Sequence, residues 1–156
     1  MCLLLFLLAT TIAASCVVSG AESSSINGSC IAAERDALLS FKAGITSDPT
    51  RLLRSWRGQY CCRWYGVRCS SKTGHVVKLD LRNEEDFDAG LRGQISSSLL
   101  ALRHLKHLDL SGNILGGNMS IPEFIGSLKS LTYLDLSNMN FVGQVPPQLG
   151  NLTKLA

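Results

Sequence analysis

Two stretches of this chain carry the same apolar rhythm, and that rhythm leaves few folds open. Residues 105–115 read L-K-H-L-D-L-S-G-N-I-L, and residues 131–141 read L-T-Y-L-D-L-S-N-M-N-F. Both place apolar side chains at relative positions one, four, six and eleven: Leu105, Leu108, Leu110 and Leu115, then Leu131, Leu134, Leu136 and Phe141. A unit this short cannot bury its own leucines and must stack against similar units. The rest of the chain has to start, cap or continue that stack.

A further copy opens with Val76, Leu79 and Leu81, and a fourth starts at Leu155. The successive starts are 29, 26 and 24 residues apart. The excess fits an insertion of five around residues 85–89 and one of two between Gly117 and Ile121. The second halves then align: Leu91, Gly93, Ile95, Leu99 and Leu102; Leu115, Gly117, Ile121-Pro122, Ile125-Gly126 and Leu128; Phe141, Gly143, Val145-Pro146, Leu149-Gly150 and Leu152. Position nine of each unit carries Glu84, Asn113 and Met139. An asparagine there can bond turn backbone that a sheet leaves unpaired. A methionine cannot, so a weaker or water-filled ladder is expected at Met139.

Ahead of the repeats, Ala37, Leu38 and Phe41 share one face of a helix predicted over residues 32–43, with Gly44 as its C-terminal cap. A second short helix is expected near Asp48-Pro49, with Asp48 as N-cap and Pro49 in its first turn. Leu52, Leu53 and Trp56 form its buried side, and Trp56 and Trp64 read as core aromatics.

Residues 1–21 read as a cleaved secretory signal: no acidic or basic side chain precedes Glu22, and Ser19 and Ala21 suit a cut after Ala21. A membrane anchor is the weaker alternative, since the apolar run is short and interrupted. Cys2 and Cys16 leave with the signal, and residues 22–29 are a polar lead-in. The remaining Cys30, Cys61, Cys62 and Cys69 suit a secreted, disulfide-bonded chain. Four cysteines allow three pairings, of which the adjacent pair Cys61 with Cys62 is disfavoured. A zinc site with His75 lacks paired C-x-x-C spacing. Sequons fall at Asn27, Asn118 and Asn151.

The unit L-x-x-L-x-L-x-x-N-x-L-x-G-x-I-P resembles the plant form of the leucine-rich repeat. The C-x-x-x-E-R-D-A-L-L-x-F-K run of residues 30–42 and the C-C-x-W-x-G-V-x-C run of residues 61–69 resemble the amino-terminal cap of plant extracellular leucine-rich-repeat proteins. The resemblance spans residues 30–156 and is nearest to receptor-like proteins of pathogen sensing. It implies bridges Cys30–Cys61 and Cys62–Cys69. The implied fold is an α/β solenoid, or horseshoe, with parallel strands on the concave face and short helical turns on the convex face. A disulfide-bonded helical cap over residues 30–75 precedes repeats over residues 76–156.

The outward strand positions are then Lys78, Asp80 and Arg82; His107, Asp109 and Ser111; and Tyr133, Asp135 and Ser137. They form the candidate concave binding face. The aspartates, one per unit, suit a scaffold role. Lys78, Arg82, His107 and Tyr133 suit contacts, because tyrosine and arginine are enriched at interface cores. Three strands offer less than the ~800 Å² per side of a standard interface.

No catalytic motif is present, so an enzyme is not expected. The net charge of +3 is mild and unclustered, which excludes a nucleic-acid patch. His104 and His107 have no cysteine or carboxylate at ligand spacing along the chain, and neither a metal nor a cofactor is expected. The resemblance implies recognition of an extracellular peptide or protein ligand, with a co-receptor kinase as partner, in defence or development. The expected location is the extracellular space or cell wall, or the plasma membrane as part of a longer anchored receptor. Stopping two residues into a fourth repeat suits a piece of such a receptor. A soluble inhibitor of polygalacturonase type and a nonfunctional truncation are the alternatives.

Overall fold

A computed structural model describes residues 30–84 and 86–156. The predicted signal and lead-in, with the sequon at Asn27, lie outside the described residues. Helix α1 spans Ala32–Ala43 and buries Glu34, Ala37, Leu38 and Phe41. Its apolar face is the one the spacing predicts, with a carboxylate added to it. Gly44 closes the helix in right-handed conformation, its N–H donating to the Phe41 carbonyl. Gly44 is thus the C-terminal cap expected. The second predicted helix forms as a 3-10 turn, Leu52–Ser55, starting later than Pro49. Asp48 still caps it, from four and five residues upstream: its two carboxylate oxygens accept from the Leu52 and Leu53 amides at 2.8 and 2.9 Å. At the other end Lys42 Nζ donates to the Leu53 and Trp56 carbonyls, a cation where helix carbonyls point outward.

Phe41, Trp56 and Trp64 form the centre of the cap. The indole rings stack with centroids 5.5 Å apart. Each indole N–H finds a carbonyl, Trp56 at Tyr65 and Trp64 at Arg57, so neither ring is buried with an orphan donor. Two disulfides, Cys30–Cys61 and Cys62–Cys69, enclose this cluster. Their sequence separations of 31 and 7 residues limit the unfolded chain unequally, by roughly 3.7 and 2.5 kcal/mol on chain-entropy arguments.

The short strands are β1 (Ile45–Ser47), β2 (Val67–Cys69), β3 (Val76–Asp80), β4 (Arg92–Gly93), β5 (His107–Asp109) and β6 (Tyr133–Asp135). The main sheet runs β2-β3-β5-β6. Strands β3, β5 and β6 are parallel and in register, so Leu79, Leu108 and Leu134 fall side by side. Strand β2 is antiparallel to β3 and covers its outer edge, a cap strand that the repeat pattern does not announce. Gly66 permits the approach: its φ is +73°, and a Cβ there would lie 2.2 Å from the Asp80 carbonyl oxygen. On the opposite side β1 pairs antiparallel with β4.

Several backbone bonds recur up the stack, and one of them runs through all four unit starts. The amide at position two of each unit donates to the carbonyl at position two of the unit before: Lys106 to Val77, Thr132 to Lys106 and Ala156 to Thr132. The Ala156 amide thus makes the bond expected of position two in a unit opening at Leu155. The insertions of different length leave this spacing intact because they lie away from the sheet.

The second half of each unit ends in a 3-10 turn: Ser97–Ala101, Glu123–Ser127 and Pro147–Asn151. The last two pack closely. Gly126 is needed there, since a Cβ would meet the Gln148 carbonyl oxygen at 2.2 Å.

Asn113 is fully buried and builds the ladder as expected. Its Oδ1 accepts from the Leu91 amide at 2.8 Å, and its Nδ2 donates to the carbonyls of Leu81, Leu110 and Ser111. In the first unit position nine does not build this ladder, and the neighbouring Asn83 makes a different cross-unit bond. Glu84 is exposed and pairs with Arg82 at 3.0 Å, while Asn83 Nδ2 reaches the Gly112 carbonyl at 3.0 Å. Met139, 2 % exposed, joins the hydrophobic core instead of the polar ladder.

Candidate functional site

Side-chain alternation along β3, β5 and β6 sends the leucines inward and the intervening residues to the open face. Register then aligns Lys78 with His107 and Tyr133, and Asp80 with Asp109 and Asp135. Arg82, Ser111 and Ser137 continue the rows just beyond the strands. The nine residues expected on the concave face thus come together as rows, but they are not equally accessible. Arg82, Tyr133 and Ser137 are exposed, and Lys78, Asp80, His107, Ser111 and Asp135 are half-buried. Asp109 is only 1 % exposed.

Asp109 is scaffold. Its Oδ1 accepts from the Ser111 amide and hydroxyl at 3.1 and 2.7 Å. Asp135 repeats the amide bond to Ser137 at 2.9 Å, and the Ser137 hydroxyl and amide hold its carboxyl below the usual carboxylate range. Tyr133 Oη lies 3.4 Å from both Asp109 Oδ2 and Asp135 Oδ2. Partial burial and the two carboxylates push its phenol above the ordinary value. The Tyr133 ring stacks on His107 with centroids 4.2 Å apart and planes 4° from parallel.

Nearer the cap the charges are balanced. Asp80 meets Lys78 at 2.9 Å and Arg82 at 3.7 Å. Burial alone would raise its carboxyl, but the Lys78 hydrogen bond and the two cations outweigh that and lower it. His107 is lowered from 6.5 by burial and by Lys78, with Asp80 and Asp109 opposing. Both groups bind protons more readily when unfolded, so both contribute stability at neutral pH that is lost on acidification. The His107 contribution should begin to fade as pH falls through 6.5. His107→Phe should flatten that part of a thermal-melt-versus-pH profile while leaving the Asp80 loss at lower pH. A profile unchanged by His107→Phe would refute this assignment.

A groove of 710 Å³ opens beside Lys78, Asp80 and Arg82. Its other wall comes from Tyr65 and Arg68 of the cap, from Asn83 and Glu84 just after β3, and from Asp86 of the first insertion. Sequence reasoning missed this wall. The available signal was Arg68, which alternates with Val67 and Cys69 and therefore faces outward once β2 joins the sheet.

The fold also places carboxylates beside the histidines, which chain spacing did not suggest. His107 Nε2 is 3.9 Å from Asp80 Oδ2, and His75 Nδ1 is 2.9 Å from Glu34 Oε1. His104 follows the 3-10 turn Ser97–Ala101, is exposed, and stacks on His75. Among the described residues no helix is long and apolar enough to cross a membrane.

Comparison with known proteins agrees with this geometry. Residues 31–70 match the leucine rich repeat N-terminal domain model, and residues 104–128 and 130–152 match the leucine rich repeat model. The chain is 47% identical over 125 residues to receptor-like protein EIX2 of Solanum lycopersicum, covering 76% of this chain and 12% of that one. The BIR2 ectodomain of Arabidopsis thaliana superposes with a TM-score of 0.68 at 33% identity, over 78% of this chain and 63% of the other. The ectodomain of the receptor kinase GASSHO1/SCHENGEN3 from Arabidopsis thaliana, solved with CASPARIAN STRIP INTEGRITY FACTOR 2, gives 0.67 at 30% identity, over 78% of this chain and 14% of its own length.

Proposed function

The chain belongs to the plant extracellular leucine-rich-repeat proteins of receptor-like type, and on that footing we propose that its concave rows recognise a secreted peptide or protein in defence or development signalling. The observation that carries this reading is the in-register alignment of Lys78, His107 and Tyr133 across three strands. Parallel strands present these variable side chains at ~4.8 Å intervals, which suits an extended ligand laid across them. The structures of related ectodomains support it, one of them solved with CASPARIAN STRIP INTEGRITY FACTOR 2. Signalling would pass through a co-receptor kinase, and the chain would enter the secretory pathway on residues 1–21. The exposed sequons at Asn118 and Asn151 would carry glycans.

The field over the rows constrains the ligand. Lys78 and Arg82 have carboxylate partners, whereas Asp109 and Asp135 are met by hydroxyls and amides. The face therefore runs from balanced charge near the cap to negative charge at the third strand. A peptide with a basic side chain over Tyr133 and Asp135 fits that gradient, with the ring adding a cation–π contact.

A library of synthetic secreted peptides, screened against the immobilised secreted chain, tests the proposal. Binding should weaken at least about tenfold, or ~1.4 kcal/mol, in a Lys78→Glu/His107→Ala/Tyr133→Ala variant. It should persist in a convex-face Glu123→Ala/Lys129→Ala variant. Peptides held equally by the concave variant would sink the reading. Stoichiometric inhibition of a secreted polygalacturonase would move it to the inhibitor class.

A further inference from the structure

We infer that Glu34, His75 and His104 form a binding site for a divalent transition-metal ion, zinc by preference, at the junction of the cap and the first two repeats. The three residues come from separate parts of the fold. Glu34 is on α1, His75 immediately precedes β3, and His104 stands in the loop before the second unit. His75 and His104 occupy the same place in successive units, one residue before the first apolar position, so stacking the units stacks their rings. The centroids are 3.8 Å apart and the planes 19° from parallel. One donor atom from each of the three residues lies within 4.8 Å of the others.

The donor set suits a borderline-soft cation. Two imidazoles and a carboxylate form the three-protein-ligand set of open zinc sites, with water in the fourth position. Zinc–ligand bonds of about 2.0–2.2 Å put neighbouring donors on a tetrahedron roughly 3.3 Å apart. The Glu34 Oε1 to His75 Nδ1 distance of 2.9 Å needs only a small opening. His104 is exposed, so its ring can turn in from the solvent side.

The environment also favours an ion. Glu34 is 3 % exposed, and its second oxygen already accepts from the buried Val76 amide at 2.8 Å. That bond fixes the carboxylate and leaves Oε1 as the ligand atom. A buried carboxylate is costly unless its charge is met. A neutral imidazole meets it only with a hydrogen bond, whereas a divalent ion would neutralise it outright.

Among the described residues, two other triplets with donors this close are weaker candidates. Cys61, Cys62 and Cys69 are spent in disulfides. In the concave triplet Asp80, His107 and Asp109, Asp80 is already held by Lys78 at 2.9 Å and Asp109 by Ser111.

Titration calorimetry of zinc chloride into the secreted, disulfide-bonded chain tests the site, with cobalt(II) absorption as a second readout. One equivalent should bind, the cobalt spectrum should be four-coordinate, and the melting temperature should rise with added zinc. His104→Ala removes an exposed ligand and its stacking on His75, so the metal-free melt should shift only slightly. It should weaken zinc binding by at least about tenfold, the lower end of what even outer partners of a metal contribute. Glu34→Gln keeps an acceptor for the Val76 amide and should weaken binding similarly. Absence of saturable binding at millimolar zinc, or unchanged affinity in His104→Ala, would overturn the inference. Loss in His107→Ala with retention in His104→Ala would place the ion on the concave face and overturn it equally.

Discussion

Leu110→Asp should unfold the chain. Leu110 has no exposed surface and is one of the inward side chains shared by successive units. Its amide donates to the Asp135 carbonyl at 3.0 Å, and its own carbonyl accepts from Asn113 at 2.9 Å. The backbone therefore cannot turn the new carboxylate out to water without breaking both the sheet and the ladder. The substitution loses the transfer energy of a leucine and adds an unpaired buried acid. A cost above about 5 kcal/mol is expected, against a total stability of about 5–15 kcal/mol. Circular dichroism of the secreted protein should show loss of the cooperative melt, or secretion should fail. Leu136→Asp, at the equivalent and only half-buried place one unit later, should cost less. Equal melts for parent and Leu110→Asp would mean that the register of the second unit is wrong.

Asn113→Ala should have the next largest effect. The side chain vanishes from a buried site where it makes four hydrogen bonds, and the Leu91 amide is left without its 2.8 Å acceptor. An orphaned buried donor costs about 1–3 kcal/mol, and the three carbonyls add to it. A loss of about 3 kcal/mol, or roughly 10 °C in melting temperature, is expected. Asn151→Ala, on an exposed turn, should stay within about 0.5 kcal/mol of the parent. If the two asparagine variants melt together, the ladder contributes nothing of note.

Much of this was legible in the sequence because the apolar rhythm is local. The unit starts, α1 and the concave rows all follow from spacings of a few residues. The other features were not legible, each for a physical reason. Strand β2 forms because the cap folds back on β3, a pairing set by Gly66 and a disulfide and not by periodicity. Asn83 bonds the Gly112 carbonyl while Glu84 turns to Arg82, a choice that position nine of the pattern does not reveal. Glu34 meets His75 across 41 residues, so neither spacing nor composition could join them. The wall formed by Arg68 and Asn83 was hidden for the same reason, since it exists only once cap and repeat touch. Asp109 was placed on the right face, but its burial depends on Tyr133 and Ser111 closing over it.

The position-two bond from Lys106 to Val77, and from Thr132 to Lys106, sets a loose condition for joining units. It asks that one backbone amide meet one backbone carbonyl, and it places no demand on the side chains of the open face. Lys78, His107 and Tyr133 differ in size, charge and aromaticity, yet all three sit on the same ladder. Substitutions there leave this joining bond untouched and act on stability only through the contacts the open-face side chains make with one another. A fold governed this way can explore new specificities at small risk to its own survival.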